Sequence, residues 1–218
     1  MLIFGFDAYF RDWKTGETEN MRFHFQTLSD RDMRSYMKSR QDAYEEVNKF
    51  FKNKLPKKID FFAWDSREDA SRVLHQNLGF ANSANCVIHS HYRQTRGHEI
   101  THVISYYTDN LIRITPLINE GTAVCFNLSD SDKQKQASDW LKSRGVSLSI
   151  SDLWSNWNNY PEEFSYPMAG LFVEEIIKRY GREDFLTFFT DQSYENARAV
   201  FGADFDNLIE NFEKKYNL

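Results

Sequence analysis

The sequence predicts an α+β fold, with strands before about residue 92 and helices dominating after it. Three observations carry this expectation. Short runs with strand character (21–27, 58–64 and 84–91) are separated by amphipathic helical segments. From about residue 95 the apolar residues return every three or four positions rather than every two. Between the two regimes stands His98-Glu99-Ile100-Thr101-His102, whose histidines share one face of a helix. No repeat, low-complexity run or flexible linker divides the chain. The expectation is a single domain over 1–218, with a β-containing lobe over about 1–108 and a helical lobe over about 109–218.

Residues 1–20 mix aromatics (Phe4, Phe6, Tyr9, Phe10, Trp13) with turn signals such as Lys14-Thr15-Gly16 and read as no single element. Met21 to Thr27 alternates as a strand. Asp30 caps a long helix to about Lys54 with the stripe Met33, Met37, Tyr44, Val47 and Phe51, and Pro56 ends it. Lys58 to Trp64 reads as a second strand. Asp65-Ser66 caps a short helix ending near Leu78-Gly79, and Ala84 to His91 reads as a third strand. Helices follow over about 95–107 and 116–128, with Thr115-Pro116 suited to the second start. Asp130 to Arg144 reads as a polar helix closed by Gly145. Past an aromatic stretch (151–166), a helix over 166–180 carries Ala169, Phe172, Val173, Ile176, Ile177 and Tyr180, with Gly181 after its end. A broken helix over about 183–201 and a last one over 204–217 complete the chain.

Composition narrows the function classes. The 218 residues are 41% hydrophobic and 16% aromatic, enough for a substantial core. The net charge is −5 and no basic stripe with interleaved aromatics appears, so nucleic acid is not an expected partner. Lys49, Lys52, Lys54, Lys57 and Lys58 read as a solvated helix end. No apolar run reaches the length of a membrane span. Met1-Leu2-Ile3-Phe4 is too short for a signal h-region, although a signal could have been removed. Cys86 and Cys125 do not make a disulfide framework and read as small buried apolar residues. Asn127-Leu128-Ser129 is a formal glycosylation acceptor that reads as a chance match.

The chemistry concentrates around H-E-x-x-H. Two neutral imidazoles four residues apart on a helix, His98 and His102, can hold one Zn²⁺. Glu99, one residue round the helix, is placed to reach a metal-bound water rather than the metal. A catalytic zinc needs a third protein ligand and an open position. Glu120 offers the ligand after 17 intervening residues, a gap that fits a helix end, a turn and a second helix. Zinc would lower the pKa of its water towards 7 and polarise a substrate carbonyl, and Glu99 would carry the proton to the leaving amine.

His98 to His102, followed by Asn119-Glu120-Gly121-Thr122-Ala123, resembles the gluzincin zinc metallopeptidases and most closely their small peptidase-MA-like members. The likeness extends through Ser165-Tyr166-Pro167-Met168-Ala169-Gly170-Leu171-Phe172-Val173 to Gly181 and covers about Val87 to Gly202. The resemblance implies a gluzincin-like fold, a small mixed sheet with the zinc helix in one lobe, a helical second lobe and a cleft between them. It implies a peptide or protein substrate, and export is common among such relatives. It also implies that Tyr166, at the start of a helix, stabilises the oxyanion, with Tyr160 in reserve. The strand before the zinc helix is then an edge strand that binds extended peptide, on which His89 and His91 share a face. Both read as ordinary strand residues rather than ligands, and Trp154 and Trp157 as core packing rather than pocket walls.

Two departures from the family pattern matter. Zinc aminopeptidases anchor the substrate amine on an acidic residue upstream of the zinc helix, whereas Gly79-Phe80-Ala81-Asn82-Ser83-Ala84-Asn85 has none. Thermolysin-like enzymes keep an Asp four residues after the glutamate ligand, whereas Val124 stands here. The expected activity is therefore zinc-dependent cleavage of internal peptide bonds. The alternatives are an aminopeptidase, a zinc hydrolase of a non-peptide amide, and a non-catalytic module on the same scaffold that binds peptide or glycan.

Overall fold

The computed structural model describes residues 9–129, 131–144 and 148–218. The chain divides into two compact units, Met1–Tyr107 and Thr108–Leu218. The expectations at Met1-Leu2-Ile3-Phe4, Phe6, Asp130 and Gly145 lie outside the described residues.

The first unit is built on a mixed five-stranded sheet. Its strands are β1 (Lys14–Glu17), β2 (Met21–Phe25), β3 (Ile59–Trp64), β4 (Phe80–Asn82) and β5 (Val87–His91), in the order β1-β2-β3-β5-β4. β2, β3 and β5 run parallel, while β1 and β4 pair antiparallel at the two edges. Alternation decides the faces: Met21, Phe23, Phe25, Ile59, Phe61, Ala63 and Ile88 are buried. Tyr36 of helix α1 (Asp30–Phe51) sets its ring edge-on against Phe23, Phe25 and Phe61. On the opposite face Trp13, Trp64, Ala70 and Leu78 form a second cluster with Tyr9, Phe10 and Phe62. Ala70 comes from helix α2 (Arg67–Leu74).

Several boundaries differ from expectation for local reasons. Ser29, not Asp30, caps α1 by accepting the Asp32 amide at 3.2 Å. The helix stops at Phe51 because Lys52 turns left-handed (φ 59°), ahead of Pro56. Left-handed His75 ends α2 before Leu78-Gly79. Lys14-Thr15-Gly16, read as a turn, belongs to β1; nearly every side chain of that edge strand is exposed, so no alternation marks it. The strand expected over 84–91 begins only at Val87, because Ser83–Asn85 forms a 3₁₀ turn and Cys86 is left-handed. The strand before the histidine helix is also not the edge: β4 covers β5 through the pairs Phe80↔His89, Ala81↔Ile88 and Asn82↔Val87.

The second unit is helical, and no helix among the described residues is long and apolar enough to cross a membrane. After α3 (His98–Tyr106), which belongs to the first unit, come α4 (Pro116–Cys125) and α5 (Lys133–Arg144). α6 (Ile150–Ser155), α7 (Glu162–Phe189), α8 (Tyr194–Phe201) and α9 (Asp204–Tyr216) follow. α7 is broken at Gly181 (φ 82°, ψ 175°), where the sequence expects an end. That conformation belongs to glycine, so the chain turns there and resumes as a helix. Trp154 is core: its indole N–H donates to the Gln192 carbonyl at 3.2 Å amid Phe172, Phe188, Tyr194 and Phe205.

Candidate metal centre

α3 carries His98 in its first turn and His102 one turn on. Ile100, Val103 and Ile104 are fully buried, while His98, Glu99 and His102 are half-buried on the remaining surface. The apolar stripe thus fixes the rotation of the helix and presents the polar residues together. Its N-terminus starts at buried Gly97, whose carbonyl accepts both the amide and the hydroxyl of Thr101, each at 2.8 Å. The Asn53 side-chain amide donates to the Ile104 carbonyl at 2.8 Å near the other end. Tyr107, just past the helix, donates its hydroxyl to the Ala84 carbonyl at 3.0 Å.

The two imidazoles meet through their Nε2 atoms, 3.2 Å apart, with ring planes at 80°. Two nitrogens about 2.05 Å from a tetrahedral zinc would lie about 3.3 Å apart. The pair therefore has the spacing of a two-tooth chelate for a small divalent ion. Two neutral imidazoles are also the right chemistry, since each presents a lone pair.

The approach to α3 is braced from α1. Arg40 is only 2% exposed, stacks over the Tyr36 ring at 4.4 Å and donates to the Gln94 carbonyl at 2.9 Å. The Gln94 side-chain oxygen in turn accepts the Ser90 hydroxyl and the His91 amide, both at 2.8 Å. This buckle holds the loop between β5 and α3. Sequence reasoning missed it, although a signal was present: Arg40 falls on the apolar stripe between Met37 and Tyr44, where a charge has no ordinary place.

His89 and His91 serve the sheet. Trp64 donates its indole N–H to His89 Nδ1 at 3.1 Å, and His89 stacks between Phe62 and Phe80. Burial pushes the His89 imidazole down to about 4, and His24 nearby acts in the same direction. His91 Nε2 lies 3.0 Å from the Asp65 carbonyl.

In the second unit Glu120 is half-buried on α4. Thr115 caps α4 with Pro116 at its first position, and the Thr115 amide donates to the Gln192 side chain at 2.8 Å. Next to Glu120, a Cβ on Gly121 would lie 2.5 Å from the Ala169 carbonyl oxygen of α7. Reciprocally, a Cβ on Gly170 would lie 2.4 Å from Val124 Cγ1. Two glycines thus let α4 and α7 cross nearly backbone to backbone. Val124, where thermolysin-like enzymes keep an Asp, fills that crossing.

Tyr166 is not at a helix start. α7 begins at Glu162 after Pro161, which places Tyr166 one turn inside, half-buried, with Trp157 tilted against it at 5.6 Å. The resemblance implied a helix starting at Tyr166, but buried Phe164 and Ser165 extend α7 one turn upstream, where the Ser165 amide donates to the Pro161 carbonyl at 3.0 Å. Tyr160 precedes the helix and leans on Phe164 at 6.0 Å. Gly79–Asn85 supplies β4 and the 3₁₀ turn, with no carboxylate in either.

His98, Glu99 and His102 therefore belong to one unit, and Glu120 and Tyr166 to the other. Among known proteins no family model matches the chain and no curated protein does, so a function must rest on the chemistry of these side chains.

Proposed function

We propose that the protein is a zinc-dependent hydrolase of internal peptide bonds, of gluzincin type, with His98, His102 and Glu120 as metal ligands. The observation that carries the reading is the pair of Nε2 atoms 3.2 Å apart on one helix face. Glu99 stands one residue round the helix from His98, and two imidazoles with the Glu120 carboxylate make a donor set suited to holding a metal ion.

A bound Zn²⁺ supplies an acidified water and a polarised carbonyl oxygen. The chain supplies the rest. Glu99 accepts the proton of the attacking water and delivers it to the departing nitrogen. Tyr166 donates its hydroxyl proton as a hydrogen bond to the carbonyl oxygen as charge builds there. The absence of a carboxylate in Gly79–Asn85 leaves a substrate's free amine without an anchor, which favours internal bonds. The extended substrate would pair with β4, the edge beyond β5.

Metal analysis and peptide digestion test this together. The purified wild type should carry one zinc per chain and cut N-acetylated peptides. His98→Ala and Glu120→Ala should lose the metal. Glu99→Gln should keep the metal and lose ~10²–10⁴-fold in turnover. Equal zinc in wild type and His98→Ala would overturn the ligand set. Zinc-loaded protein that binds peptides without cutting them would indicate a binding module. Release of single residues from free-amine peptides only would indicate an aminopeptidase.

A further inference from the structure

Within the second unit, α5 and the first turns of α7 border a cavity of about 620 Å³ that the metal chemistry does not explain. Val124, Pro167 and the rings of Trp140 and Tyr166 give it apolar and aromatic walls. Trp140 is held in place by stacking on Phe164, with centroids 4.4 Å apart. Two carboxylates, Glu162 and Glu163, stand on the rim, and neither has an ion-pair partner among the described residues. The one lysine of the lining, Lys133, is tied to Glu174, which is not part of the lining, so it does not neutralise the rim. Acidic residues in the first turn of a helix suit its dipole, but that accounts for neither the aromatic walls nor the volume. The volume falls in the range of ligand pockets rather than surface dimples.

We propose that this cavity is a specificity pocket for a cationic side chain, lysine or arginine, of the peptide substrate. The long aliphatic stem of such a residue would lie along Val124, Pro167 and Trp140. Its charged head would reach Glu162 and Glu163 with the indole face beside it. A neutral side chain of equal length fills the walls but leaves the carboxylates unmatched, and an acidic one is repelled. The inference rests on the peptidase reading in one respect only: Tyr166, on the cavity wall, is the residue placed at the reacting carbonyl.

The test separates binding from cleavage. Binding of acetyl-Ala-Ala-X-Ala-Ala-amide to zinc-loaded Glu99→Gln protein is measured by calorimetry with X as lysine, arginine, norleucine or glutamate. Lysine and arginine peptides should bind about tenfold more tightly than norleucine, the scale of one charge-assisted contact. Adding Glu162→Gln and Glu163→Gln should erase that preference and leave norleucine binding unchanged. Equal affinity for lysine and norleucine, no binding of any peptide, or a preference that survives the two substitutions would overturn the pocket. In parallel, wild-type protein is incubated with a mixed peptide pool. Cleavage without preference for basic residues would overturn the pocket and leave the peptidase reading standing. A lysine preference in binding with no cleavage would do the reverse.

Discussion

At the scale of single residues, two side chains offer sharp tests. Tyr166 is positioned by α7 and by Trp157, so replacing it with Phe keeps the ring and removes only the donor. Tyr166→Phe should retain zinc and lose ~10²–10³-fold, mainly in kcat, because the hydrogen bond is strongest to the charged intermediate. A kinetically silent Tyr166→Phe beside an impaired Tyr160→Phe would move the role to the tyrosine ahead of the helix. His89 tests the fold instead. Folding holds its imidazole neutral down to about pH 4, whereas the unfolded chain takes up the proton near 6.5. Its contribution is therefore complete above 6.5 and lost as the pH falls towards 4, a swing of about 3 kcal/mol. His89→Gln keeps an acceptor for Trp64 and does not titrate. Urea denaturation at pH 7.5 and 4.5 should show a difference smaller by about 2 kcal/mol in the variant than in the wild type. Equal differences would refute the assignment.

Elements are where the sequence was most and least legible. The long helices were readable because their stripes repeat with helical period, and α3 was readable because H-E-x-x-H works only as a helix. β1 and β4 were not, since an edge strand of exposed or half-buried residues carries no alternation. The free edge that the resemblance implied for β5 is covered by β4. The helix carrying Tyr166 runs one turn further upstream than a tyrosine-led start implies, because Phe164 and Ser165 are buried as helical residues. The crossing of α4 and α7 was hidden for a different reason: in the sequence Gly121 and Gly170 are merely two weak helix formers, and only their contact shows their use. Alanine ordinarily stabilises a helix over glycine by ~1 kcal/mol. At Gly121 the sign should reverse, because the new methyl meets the Ala169 carbonyl at 2.5 Å and the helices must part. Gly121→Ala should cost roughly 1–3 kcal/mol in urea denaturation and weaken zinc binding through Glu120. A stabilised variant would mean the helices lie farther apart.

At the scale of the whole molecule, each unit has its own core: a sheet covered on both faces in one, packed helices in the other. The candidate groups are divided between them, histidines and proton carrier on one side, carboxylate ligand and tyrosine on the other. The same division holds for the two sulfurs. Cys86 is fully buried in the first unit, and its Sγ lies 3.4 Å from the Tyr107 hydroxyl. Cys125 closes α4 in the second, donating its thiol to the Gly170 carbonyl at 3.3 Å, and burial pushes that thiol up to about 12. Burial shuts Cys86 off from alkylating reagents, and the raised Cys125 thiol presents little thiolate to them, so both should react slowly in the folded protein. Each becomes reactive only when its own surroundings open. The wild-type chain thus carries one silent chemical clock per unit. Timed alkylation in mild denaturant, read by peptide mass at Cys86 and Cys125, should give two separately assignable opening rates. Prompt labelling of Cys125 without denaturant would show that the α4–α7 crossing breathes. A common rate at both positions, slowed to the same extent by added zinc, would show that the two units open as one.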